Sequence, residues 1–132
     1  MKNVRFINPS TLSTPPGYTH VVEVARGKTV YIAGQVALDS AGNLVGKGDL
    51  AAQAHQVFKN LKSALESVGA TFSNVVKLTY FAVDMSQLQT IRDIRKEYLD
   101  MKNPPASTAV EVSRLAREEF LLEIEAIAVL PE

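Results

Sequence analysis

Val75-Val76-Lys77-Leu78-Thr79-Tyr80-Phe81-Ala82-Val83 decides the architecture. Alternation along a strand puts Val76, Leu78, Tyr80 and Ala82 on one side and Val75, Thr79, Phe81 and Val83 on the other. Both sides are rich in β-branched and aromatic residues, the pattern of a strand covered on both faces. On its N-terminal side, Ala54, Val57, Phe58, Leu61, Ala64, Leu65 and Val68 follow three-four spacing. That spacing predicts a helix with Asp49 as N-cap and Gly69 just past its end. On its C-terminal side, Ser86-Gln87-Leu88-Gln89 has the form of a capping box, and Leu88, Ile91, Ile94 and Tyr98 make a second apolar stripe that closes before Pro104-Pro105.

Outside this centre the chain reads as strands and turns. Val21 to Val24 and Lys28 to Val36, joined by Arg26-Gly27 and followed by the turn signal Asp39-Ser40-Ala41-Gly42-Asn43, predict an N-terminal β-meander. Asn8 to Gly17 is rich in Pro, Gly and hydroxyl residues and predicts a long loop ending at Tyr18. Ala106 to Arg114 and Leu121 to Leu130 read as the last two strands, separated by a charged turn at Arg117-Glu118-Glu119. The order is that of a single α+β domain, as a length of 132 residues also implies. Two helices cover one face of such a sheet, so the second apolar face of the central strand predicts an obligate oligomer.

Composition narrows the function. Fourteen basic side chains against fourteen acidic ones remove the charge excess on which phosphate tracking depends, so no nucleic-acid partner is expected. The absence of cysteine excludes disulfides, thiolate metal sites and thiol nucleophiles, and it fits a reducing, cytoplasmic setting. No apolar run approaches membrane-spanning length. His20 and His55 stand in no zinc-like arrangement, and no Gly-x-Ser-x-Gly elbow occurs, so neither a metal nor any other cofactor is expected. Gly46-Lys47-Gly48-Asp49 lacks P-loop spacing and reads as a turn with an N-cap.

The chemistry points to Leu121-Leu122-Glu123-Ile124-Glu125-Ala126-Ile127-Ala128-Val129, where alternation sets Glu123 and Glu125 in an otherwise apolar row with Leu121, Ile127 and Val129. Carboxylates in such surroundings are candidate acids or bases, or partners of an ion pair. Arg114 would meet them if the last two strands formed a hairpin, and Glu111 reads as an exposed strand residue.

Several stretches together resemble the RidA family, also called YjgF and formerly endoribonuclease L-PSP. They are Tyr31-Ile32-Ala33-Gly34-Gln35-Val36, Gly48-Asp49-Leu50-Ala51-Ala52-Gln53, Asn60-Leu61-Lys62, Val75-Val76-Lys77, Pro105-Ala106-Ser107-Thr108-Ala109-Val110-Glu111-Val112 and Leu122-Glu123-Ile124-Glu125-Ala126-Ile127-Ala128. They run nearly end to end in family order.

The resemblance implies a chorismate-mutase-like α+β fold assembled as a homotrimer around a barrel, with small-molecule clefts between subunits. It implies hydrolysis of reactive imines or enamines, with Glu123 orienting a water beside the Ala109 carbonyl and Tyr18 and Gly34 lining the pocket. Two positions depart from the pattern: Ser107 stands where the family's carboxylate-binding arginine is found, and Ala33 replaces a pocket serine. A serine cannot form the bidentate, charge-assisted clamp of a guanidinium, so typical 2-imino acids are not the expected substrates. A non-catalytic ligand sensor or partner-binding member is the alternative, and ribonuclease activity finds no support in charge or aromatic-basic pattern.

Overall fold

A computed structural model of the chain describes residues 3–132. In chain order the elements are β1 (Val4–Ile7), β2 (Val21–Val24), β3 (Lys28–Gln35), α1 (Leu50–Glu66), β4 (Val75–Ala82), α2 (Leu88–Arg95), β5 (Ala106–Glu111) and β6 (Leu122–Leu130). Four strands form one sheet in the order β3-β6-β4-β5, and β1 pairs with β2 in a separate ribbon. Only β4 and β5 are parallel, and α2 lies in the crossover that parallel neighbours require.

The main core lies between this sheet and the helices. Val57, Phe58 and Leu61 of α1 and Leu78, Leu122, Ile124 and Ala128 of the sheet are wholly buried there. Asp49 caps α1, its carboxylate accepting from the Ala52 amide at 3.1 Å. The helix ends slightly before the periodicity suggests, with Ser67 as its C-cap and Gly69 at φ +76° two residues on. Buried Gln53 ties α1 to the chain entering β6: its Nε2 donates to the carbonyls of Gly46 and Glu119, and its Oε1 accepts from the Leu121 amide at 2.9 Å. Asn60 similarly donates to the carbonyls of Val36 and Leu38, fixing the chain just after β3.

Four expectations need correction. The N-terminal meander does not form, because β2 pairs with β1 and β3 pairs with β6. The separation falls at Gly27, at φ +132°, where any Cβ would press into the Leu130 carbonyl and the Val129 side chain. Nor do the last two strands form a hairpin: β5 lies at the sheet edge beside β4, while β6 runs between β3 and β4. With burial available on both faces, β4 takes an interior position, whereas β5 is half-buried to exposed along its whole length and suits an edge. Arg114 therefore donates to its neighbour's carbonyl, Leu115 O, rather than to Glu123 or Glu125.

The third correction concerns β4 itself. Its pairing with β6 shifts register between Val75 and Lys77, which turns Val75 into the main core and Val76 toward Val4 and Val129, the reverse of simple alternation. Finally, the Ser86 capping box is not made. Asp84 accepts from the amide and hydroxyl of Ser86 and caps a 3-10 turn over Met85–Gln87, and α2 starts after that turn without a side-chain cap.

Candidate functional site

The long loop after β1 ends by docking on the start of β5. Thr19, almost wholly buried, donates through its amide to the Pro105 carbonyl and through its hydroxyl to the Pro104 carbonyl. That tie sets Tyr18 beside Ser107. A cavity of about 200 Å³ opens there, lined by Tyr18, by Tyr80 of β4, and by Ser107 and Ala109 of β5. Its opposite wall comes from Met85 and from Leu88, Ile91, Arg92 and Arg95 of α2. Three residues named from the sequence, Tyr18, Ser107 and Ala109, are thus brought together.

Glu123, Gly34 and Ala33 are elsewhere. On β6 the buried residues Leu122, Ile124 and Ala126 face the helices, and Glu123 and Glu125 point the other way. Register carries the argument across the sheet: Ile124 pairs with Tyr80 and Tyr80 with Ala109, so Tyr80, Ala109 and Ser107 share the helix side and Glu123 is on the opposite side. Glu123 lies against Gly34 of β3 so closely that a Cβ on Gly34 would overlap its carboxylate. Ala33 and Gly34 also border an open depression with Tyr31, Glu125 and Ile127. Within one chain the named residues fall into two groups on opposite faces of one sheet.

Met85, Arg92 and Arg95 went unread in the sequence, as did Tyr80 as a polar group. Arg95 is 8% exposed, and its Nη2 donates to the Pro16 carbonyl at 3.1 Å. The neighbouring Gly17, at φ +90°, leaves room for the guanidinium against the backbone, because a Cβ there would strike it. The Tyr80 hydroxyl is buried, with the Arg95 guanidinium as its polar neighbour and no other hydrogen-bond partner. Burial pushes that phenol up to about 12, and the nearby Arg95 charge partly opposes the shift. A signal existed for Arg95: it follows Leu88 by seven residues and Ile91 by four, on the same helical stripe.

His20 and His55 take local roles. The His20 Nε2 is 2.6 Å from the Ser13 carbonyl, and the His55 Nδ1 is 2.8 Å from the Tyr98 hydroxyl. No group of three or more metal-ligating side chains occurs among the described residues, and no helix there is long and apolar enough to cross a membrane. Glu111 is exposed, as expected, and accepts from the Met85 amide.

The sequence and the arrangement of sheet and helices match a known family. The profile of the endoribonuclease L-PSP family covers residues 10–130, and this chain belongs to that family, also known as RidA or YjgF, whose members share the chorismate-mutase-like α+β fold. More particularly, it is 40% identical to the mouse 2-iminobutanoate/2-iminopropanoate deaminase over 85% of this chain and 80% of that one. It is 36% identical to a RutC family protein of Pyrococcus horikoshii over 97% of this chain and 98% of that one. Among solved structures, the Rid family protein YyfB of Yersinia pestis superposes with a TM-score of 0.89 at 41% identity, covering 97% of this chain and 99% of that chain. TdcF of E. coli with bound serine gives 0.71 at 30% identity, covering 79% and 82%. The family to which the chain belongs thus includes mammalian 2-iminobutanoate/2-iminopropanoate deaminases.

Proposed function

We propose that the chain is a cytoplasmic hydrolase of C=N bonds that acts as a homotrimer, on reactive imines or enamines. The observation that carries this reading is the division of the named residues between two faces: Tyr18, Ser107 and Ala109 on one, Gly34 and Glu123 on the other. A second copy that lays its Glu123 face over the Ser107 cavity completes a cleft between subunits, and a trimer closes that heterologous contact three times. There the Glu123 carboxylate accepts a proton from a water held beside the Ala109 carbonyl, and the water oxygen attacks the C=N carbon. Glu123 hands that proton to the nitrogen to give the tetrahedral amino alcohol, then relays the proton of the new hydroxyl to the nitrogen as the C–N bond breaks, so that imine plus water gives a carbonyl product plus ammonia and the carboxylate is restored. An enamine enters the same sequence through its imine tautomer.

Gly34 supports this role for Glu123. With no side chain at 34, the carboxylate can lie directly on the backbone of β3, a position that any larger residue there would take from it. Ser107 carries no charge, so the strand offers no guanidinium for a carboxylate next to the C=N carbon, and short 2-imino acids are poor substrates in this reading.

The test is a semicarbazide-trapping assay with enzymatically generated iminopropionate and a panel of other imines. At least one imine is hydrolysed by wild type, with iminopropionate a weak substrate. Glu123→Gln lowers kcat by about 10²-fold or more while the chain stays folded and assembled. Ser107→Arg raises kcat/KM for iminopropionate. Retained turnover in Glu123→Gln sinks the mechanism, and ligand binding with no turnover of any imine by wild type replaces it with a sensor role.

A further inference from the structure

The cavity beneath Ser107 holds a positive charge that the chain itself does not neutralise. Arg95 is more than nine-tenths buried, its Nε has no partner, and its hydrogen bond to a protein group is the one to the Pro16 carbonyl. The ion pairs among the described residues join Arg5 to Glu23, His55 to Glu97, Lys62 to Glu66 and Lys96 to Asp93, so Arg95 takes part in none of them. The adjacent Tyr80 hydroxyl, also more than nine-tenths buried, has Arg95 itself as its polar neighbour and no hydrogen bond to any other group, so its O–H is left to donate into the cavity. Natural interiors rarely leave either kind of group unsatisfied, and a buried guanidinium without an anion is costly.

We propose that this cavity binds the carboxylate of a short aliphatic ligand through Arg95 and Tyr80, so that the anion-holding cation comes from α2 rather than from position 107 of β5. The proposal rests on the reading of this cleft as the ligand site, and it deepens that reading by naming the ligand class. Charge sets the sign of the ligand. Both charged residues in the cavity wall are arginines, Arg95 buried and Arg92 half-buried, and no acid lines it. Geometry sets the group. A guanidinium presents a planar fork that matches two carboxylate oxygens, and a phenol O–H adds a third donor. The remaining wall, Met85, Leu88 and Ile91, is apolar and accepts a hydrocarbon chain without hydrogen-bonding needs. A volume of about 200 Å³ lies below the usual range for ligand pockets and limits that chain to a few carbons.

The clamp differs in placement from one carried at position 107. A carboxylate held by Arg95 lies against α2 and Tyr80 rather than against position 107 of β5.

The test uses binding and needs no turnover. Butanoate and butanamide differ chiefly in charge, and each is titrated into ¹⁵N-labelled full-length protein while the Arg95 Nε–Hε resonance is followed by NMR. Butanoate shifts that resonance saturably, and butanamide leaves it in place at the same concentrations. Arg95→Lys keeps the charge but loses the fork and weakens butanoate binding about tenfold or more. Tyr80→Phe weakens it about fivefold. Inorganic phosphate, run in parallel, binds more weakly than butanoate.

Equal responses to acid and amide, no response to either, or wild-type butanoate affinity in a folded Arg95→Lys protein each overturn the proposal. Tighter binding of phosphate than of butanoate overturns the carboxylate assignment. Where Arg95→Lys fails to fold, the acid-amide contrast on wild type and the Tyr80→Phe titration still decide. A protein that binds butanoate in this way but hydrolyses no imine keeps this site and loses only the reaction.

Discussion

The two faces of the four-stranded sheet use the same strands and differ in what completes them. On the helix side, Leu122, Ile124, Ala126 and Ala128 of β6 and Leu78, Tyr80 and Ala82 of β4 are buried within the chain. On the other side the β1–β2 ribbon covers one end, packing Val4, Phe6 and Val22 against Val76, Ile127 and Val129. Beyond it Phe81 and Glu123 are half-buried, Glu125 and Val110 are exposed, and Tyr31 is 78% exposed. The covered face therefore carries the stability of the single chain. The open face, with the carboxylates and the glycine cradle, is the one the proposed trimer covers.

Truncating each face should separate these roles most strongly. Phe58 is wholly buried and stacks on Tyr98 with ring centroids 5.0 Å apart, so Phe58→Ala should cost about 3–5 kcal/mol in denaturant unfolding. Tyr31→Ser on the open face should leave far-UV circular dichroism unchanged and shift the association equilibrium toward smaller species in light scattering. Equal loss of fold in both variants would erase the distinction between the faces.

Tyr80 sharpens the comparison on the covered face through pH. Its phenol titrates near 10 when unfolded and is pushed up to about 12 by burial, so the folded state favours the protonated form. Stability from this group is complete below pH 10 and is lost as pH rises from 10 toward 12, because the unfolded chain releases the proton first. A two-unit difference sets a ceiling of about 2–3 kcal/mol. Urea midpoints between pH 9 and 11.5 should fall for wild type more steeply than for Tyr80→Phe. Parallel curves would mean that the hydroxyl is solvated through the cavity.

The difference between the faces also explains what was legible in the sequence. Periodicity reports which side of an element is apolar, so α1, β4, β6 and the uncovered face were readable, as was the Asp49 cap. Pairing partners were not, because Val21–Val24 and Lys28–Gln35 look equally able to pair with each other, and the chain path at Gly27 prevents it. The bulge at Val75 was hidden for a similar reason: one inserted step in register leaves no mark on composition. Tyr18, Ser107 and Ala109 were found through resemblance and do meet in one cavity. Arg95 was missed because a charged residue on an apolar stripe is easily assigned to the stripe's border, although its spacing from Leu88 and Ile91 directs it inward.

The smallest effect is expected where the open face gains its partial cover. The β1–β2 ribbon is joined by a hydrogen-bonded ion pair, Arg5 Nε to Glu23 Oε1 at 2.8 Å, with both side chains more than half exposed. Proximity lowers the Glu23 carboxyl and raises the Arg5 guanidinium from their ordinary values, yet solvent and salt screen an interaction in that position. The ribbon is instead held by Val4, 4% exposed, packed on Val76 and Val129. Arg5→Ala should therefore move the thermal midpoint by less than about 1 °C at physiological salt, whereas Val4→Ala should lower it by several degrees. The reverse ranking would mean that electrostatics, and not apolar contact, fastens the ribbon to the sheet, and the open face would then become more exposed as salt is added.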